Sequence, residues 1–399
     1  MTRRGLAASL LAAALLAAGC TGDPYVAPPP ATTSEVADPA AAAATVSALQ
    51  DAVGAGDTAA GSALGADPRA SELLAAVVSN ASELGLSDVT FRYVAETGRT
   101  SGADGWDGLV AVTWRLDGVD SASARTEVAM SFADHGRRIA AIGGDGRLPL
   151  WLAGPVAVRR VPGAVVAVAE PAERIDRYAR WARTAVARAR EVLGGQESFA
   201  VEVAADSAGM HRALGAEPRA YDAVAAITAP VDGSRAPGSP VHVFVNPAVY
   251  DGLDPVAAQV VMTHEAVHAL TDATRADAPL WLVEGFADHV ALRGLDLPDE
   301  RTAGQVIRQV RRDGLPAALP SDTDFNPSVT HLGAVYEAAW QVAATLADAR
   351  GEDALVRLYR AVLDGTDLVT ALRAGYGWTV ADLTAAWRSR LAALAGVSE

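Results

Sequence analysis

The chain has 399 residues, half of them hydrophobic and a fifth charged, a balance that supports a sizeable buried core and excludes a disordered polypeptide. A formal net charge of −15 argues against a nucleic-acid surface, which needs clustered positive charge to displace counterions from phosphates. Cys20 is the only cysteine, so an intramolecular disulfide and a thiolate metal site are both excluded.

In chain order, Arg3 and Arg4 precede a short apolar stretch at 6–18, and the small residues Ala17, Ala18 and Gly19 lead into Cys20. A segment this short reads as a signal peptide over 1–19, not a spanning helix. The run resembles a bacterial lipoprotein signal with its lipobox, although Ala17 stands where Leu is commoner. The resemblance implies that Cys20 is acylated and that the protein is held on the outer face of the cytoplasmic membrane by its N-terminal lipid alone. The competing reading is an ordinary secretory signal with an incidental cysteine. Residues 20–39, with three consecutive prolines at 28–30, read as a flexible tether.

An accessory module is expected over 40–154. Helices are predicted at 40–53 and 71–84, followed by strands at 89–94, 109–116, 126–133 and 138–142 separated by Gly, Asp and Ser clusters. Val110, Val112, Trp114 and Leu116 alternate as in an antiparallel sheet with one buried face. Helices followed by such a meander resemble a cystatin-like or NTF2-like α+β unit.

A second domain is expected over 155–399. Strands are predicted at 165–169, 199–203, 225–228 and 241–245, and a long amphipathic helix at 173–193. Asp254-Pro255 caps a helix running to 271. Helices then follow at 280–293, 302–312, 332–349, 353–363, 368–374 and 380–394. The fold class is therefore α+β with a mainly helical C-terminal half.

The chemistry concentrates in two of these helices. His264-Glu265-Ala266-Val267-His268 is an H-E-x-x-H pattern. Histidines four apart lie on one helix face, so both imidazoles reach one ion, and Glu265 projects beside them. Fifteen residues separate His268 from Glu284, which the run Trp281-Leu282-Val283-Glu284-Gly285-Phe286-Ala287-Asp288 offers as a third ligand. The fourth tetrahedral position is then left for water. Asp288 shares the face of Glu284 and can fix the tautomer of a ligand imidazole. His135, His211, His242 and His289 lack such spacing and are expected to be structural.

Together these motifs resemble the gluzincin metallopeptidases, the thermolysin and aminopeptidase-like group, over residues 165–394. The resemblance implies one zinc ion held by His264, His268 and Glu284, and hydrolysis of peptide bonds with Glu265 as general base. It also implies an oxyanion donor, for which Tyr336 is the candidate and His331 the substitute. Peptide or protein substrates of this group pair with an edge strand upstream of the zinc helix, here 225–228. The alternative is a non-catalytic, zinc-stabilised lipoprotein that binds or scaffolds. Glu265 weighs against it, because a structural site has no use for a base beside an open position.

Overall fold

The computed structural model describes residues 37–100, 105–236, 238–326 and 331–398. The signal, most of the tether and Cys20 lie outside them. Three helices come first: α1 (Pro39–Ala55), α2 (Thr58–Ser62) and α3 (Pro68–Leu84). Asp38, Asp57 and Asp67 cap them, each carboxylate accepting a bond from the backbone N–H three residues on. Each cap is worth about 1 kcal/mol. Gly56 and Gly85 end α1 and α3 in the left-handed region, at φ +64° and +65°, where any side chain would strain the turn.

The chain continues as an antiparallel meander of β1 (Leu86–Thr100), β2 (Trp106–Leu116), β3 (Ala124–Ala133) and β4 (Arg138–Ile142), in spatial order β1-β2-β3-β4. The alternation predicted for β2 is observed. Val110, Val112, Trp114 and Leu116 are buried while Thr113 and Arg115 are half-buried. The strand β1 extends well past the predicted 89–94, because its second half pairs with β2 although it is mostly exposed and polar.

After the short α4 (Leu150–Ala153) comes a mixed sheet of β5 (Val156–Val161), β6 (Ala164–Ala169), β7 (Phe199–Val203), β8 (Ala226–Pro230) and β9 (Val241–Val245). Its order is β5-β6-β7-β9-β8, with β6-β7 and β7-β9 parallel and both outer pairs antiparallel. The predicted strand at 225–228 is thus an edge. The helices α5 (Ile175–Leu193) and α6 (Ser207–Leu214) interrupt the sheet's sequence.

All six residues of β6 are buried, and their period-2 alternation explains the unbroken apolar run. Val165, Ala167 and Ala169 join a core with Trp114, Leu116 and Trp151. Ala164, Val166 and Val168 join another with Tyr178, Ala182 and Val186 of α5 and with Ala258, Met262 and Ala266. The sheet is therefore a shared wall, with the N-terminal helices and meander on one face and α5 and the metal-motif helix on the other. Each Val buried there contributes about 1.5–3 kcal/mol.

The rest is helical: α7 (Pro247–Tyr250), α8 (Pro255–Thr271), α9 (Leu280–Leu292), α10 (Asp299–Thr302), α11 (Gly304–Asp313), α12 (Leu332–Arg350), α13 (Glu352–Leu363), α14 (Leu368–Tyr376) and α15 (Val380–Ala395). Phe286 of α9 stacks on Tyr359 of α13 at 3.8 Å between ring centroids. Trp387 of α15 donates through Nε1 to the Ala338 carbonyl of α12, 3.1 Å away. Gly285 lets α9 and α12 approach backbone to backbone, since a Cβ there would lie 2.3 Å from the Ala339 oxygen. That approach brings Tyr336 of α12 toward Glu284. Among the described residues no helix is long and apolar enough to cross a membrane.

Candidate metal centre

Helix α8 begins where the sequence places it. Asp254 caps it, accepting bonds from the Val256 and Ala257 amides at 2.9 and 3.0 Å, with Pro255 in the first turn. Ala258, Met262 and Ala266 anchor one face of α8 in the core that includes the sheet and α5. His264 and His268 share a different face, toward α9.

Three donor atoms converge there. His264 Nε2 lies 2.9 Å from His268 Nε2 and 3.1 Å from Glu284 Oε2, and His268 Nε2 lies 3.3 Å from the same carboxylate oxygen. Atoms about 2.0–2.1 Å from one tetrahedral ion stand about 3.3–3.4 Å apart, so this triangle is slightly tight but of the right size. Asp288, one turn beyond Glu284 on α9, receives His264 Nδ1–H at 2.8 Å. The proton is thereby placed on Nδ1, and the Nε2 lone pair is left for a cation. His268 Nδ1, by contrast, is buried with no hydrogen-bond partner among the described residues.

The field at the cluster favours positive charge. Burial opposes a charged imidazole at His264, but Asp288 and Glu284 outweigh it and raise the pKa well above the ordinary histidine value. Burial would likewise raise the Glu284 carboxyl, yet the His268 and His264 rings hold it far below the usual carboxylate range. An imidazole that holds its proton beside a carboxylate that stays ionised marks a buried site whose field favours a cation, and a divalent ion would take the place of that proton. Two neutral imidazoles and one carboxylate make a donor set well suited to zinc.

Glu265 is 9% exposed, and its Oε2 accepts a bond from the Thr228 hydroxyl of β8 at 2.6 Å. Tyr336 lies close by, its ring centroid 6.4 Å from that of His264 and 5.3 Å from that of Phe325. Burial, reinforced by the carboxylates of Glu284, Asp288 and Glu265, pushes the Tyr336 phenol far above its ordinary pKa. At neutral pH it is therefore a hydrogen-bond donor facing three acids. His331 stands at the exposed start of α12, and among the described residues no hydrogen bond, ion pair or ring contact joins it to the cluster.

His135 is exposed, whereas the other three histidines are held by packing and pairing. His289 lies 3.5 Å from Glu352, and His211 accepts the Tyr221 amide through Nε2 at 3.2 Å. His242 sits between two acids, with Nδ1 2.7 Å from Glu202 Oε1 and Nε2 3.0 Å from Asp120 Oδ1. Neither this bridge nor the Thr228 contact is signalled by any spacing in the sequence, since each joins residues from separate elements.

No known protein-family model matches the chain, and no curated protein matches it in sequence. Solved structures do match at low similarity. Two are glutamate-to-alanine mutants of a two-domain M1 zinc metallopeptidase. The complex with L-tryptophan has a TM-score of 0.35 at 13% identity, and the complex with L-arginine 0.34 at 14%. A third is an M1 zinc metallopeptidase from Deinococcus radiodurans, with a TM-score of 0.34 at 13% identity. Each match covers 77% of this chain and 61% of the other, so the chain spans about six-tenths of the length of these structures.

Proposed function

We propose that the protein is a zinc-dependent peptidase of the cell envelope. The observation that carries this reading is the convergence of His264 Nε2, His268 Nε2 and Glu284 Oε2 on one point beside Glu265. His264, His268 and Glu284 would hold a single zinc ion, which when bound lowers the pKa of a coordinated water and polarises a carbonyl.

The remaining work falls to side chains. Glu265 takes the proton of the attacking water and passes it to the departing amine. Asp288 keeps His264 in the tautomer that leaves Nε2 free. Tyr336, a protonated phenol among three carboxylates, donates to the oxyanion as it forms, with His331 the substitute for that role. An extended peptide finds unpaired backbone on β8, the edge strand nearest the base.

Cleavage of a peptide library by the zinc-loaded protein tests the reading. Wild type is expected to cleave, and Glu265→Gln to bind zinc but lose about 100- to 10,000-fold in rate. A zinc-loaded wild type that cleaves nothing at any pH would favour a binding or scaffolding role. The N-terminal pattern supports export and acylation at Cys20, with the protein on the outer face of the cytoplasmic membrane. On that reading Cys20→Ser moves the protein from the membrane fraction to the soluble one, and unchanged fractionation would contradict it.

A further inference from the structure

A general base must present one carboxylate oxygen to the reacting water and keep it there. Glu265 belongs to α8, but what fixes its carboxylate comes from another element. Thr228 lies on β8, 37 residues earlier in the chain, and is 6% exposed. Its hydroxyl oxygen is 2.6 Å from Glu265 Oε2 and 3.0 Å from the Glu265 carbonyl oxygen, so one hydroxyl faces both ends of the same residue. A hydroxyl carries a single proton, and the shorter contact to an anionic oxygen is the stronger bond. Among the described residues, that hydroxyl is the only hydrogen-bond donor to the carboxylate.

Backbone pairing fixes Thr228 in turn. It stands opposite Val243 in the β8-β9 ladder, and Ala229 stands opposite His242. Its other neighbour along the ladder, Ile227, pairs with Phe244. The hydroxyl is thus placed by a hydrogen-bonded strand and not by a free rotamer on a loop.

We infer that Thr228 is a positioning residue for Glu265: its hydroxyl fastens Oε2 and so leaves Oε1 as the oxygen available to take a proton. The inference rests on the peptidase reading for its kinetic consequence, but its structural consequence stands alone. Because β8 is also one of the two edges of its sheet, the strand that orients the base is itself at a position where an extended chain can add. A ligand pairing there contacts the support of the base directly.

Thr228→Val and Thr228→Ser in the full-length, zinc-loaded protein provide the test. Valine keeps the shape and removes the hydroxyl, whereas serine keeps the hydroxyl. A displaced catalytic group costs on the order of 100-fold in rate, so the valine variant should lose a large part of that in kcat. Its KM and zinc content should stay within about twofold, and serine should restore most of the rate. A crystal structure of the valine variant should show the Glu265 carboxylate turned away from its wild-type position.

A valine variant with wild-type kcat and an unmoved Glu265 would overturn the inference, as would equal losses in the valine and serine variants. If wild type itself cleaves nothing, the peptidase reading has failed. The Glu265 orientation in the valine and serine structures then decides the role of Thr228 by itself.

Discussion

Among the described residues, the His264 cluster and the His242 bridge each join histidine to two carboxylates in a buried setting, and they differ in how the ring nitrogens are aimed. At His264, His268 and Glu284, two Nε2 atoms and one carboxylate oxygen all lie within 2.9–3.3 Å of one another. A single small ion can touch all three. At His242 the two nitrogens of one ring point to opposite sides, toward Glu202 at 2.7 Å and Asp120 at 3.0 Å. No point is shared, so the cation is the imidazole itself. Burial and acidic partners are common to both groups; only convergence makes one of them a candidate metal site.

The second group has its own consequence. Asp120 follows β2 in the meander, whereas Glu202 and His242 lie on β7 and β9 of the mixed sheet, so the bridge ties the two sheets together. Burial by itself would lower the His242 pKa, but Asp120 and Glu202 raise it to about 10. Removing one partner of a buried charge group leaves the others unpaired, which costs about 3–5 kcal/mol. His242→Ala should therefore lower the unfolding free energy by that amount, read by urea denaturation, while zinc content is unchanged. Loss of zinc with intact stability would erase the distinction between the groups.

A smaller effect follows with pH. The folded pKa of His242 lies above the unfolded value of about 6.5, so its contribution is complete below about pH 6.5. It is lost as pH rises through about 10. The stability gap between wild type and His242→Ala should narrow across that window. A gap that widens with pH would mean that His242 is buried neutral.

What was legible in the sequence depended on how locally each feature is determined. The spacing of His264 and His268 is a property of one helix, and Glu284 with Asp288 of the next, so both motifs could be read before any folding. The helices α8, α9 and α12 lie close to their predicted ranges, because caps and apolar periodicity act within a few residues. The strand β5 was not predicted, since Arg159 and Arg160 break the apolar pattern of 156–161 and its pairing partner β6 decides the matter. Helix α6 is only eight residues long, too short for periodicity to stand out. The contacts of Thr228 with Glu265 and of Asp120 with His242 span 37 and 122 residues. They exist only because the sheet brings β8 beside α8 and the meander beside β9, which no spacing in the chain records.

The most direct test is to locate zinc by anomalous scattering at its absorption edge in crystals of the zinc-loaded protein. The account predicts one peak, about 2.0–2.1 Å from His264 Nε2, His268 Nε2 and a Glu284 oxygen, with the fourth position held by no protein atom. Zinc bound between Asp120, His242 and Glu202, or a fourth protein ligand closing the His264 site, would contradict it.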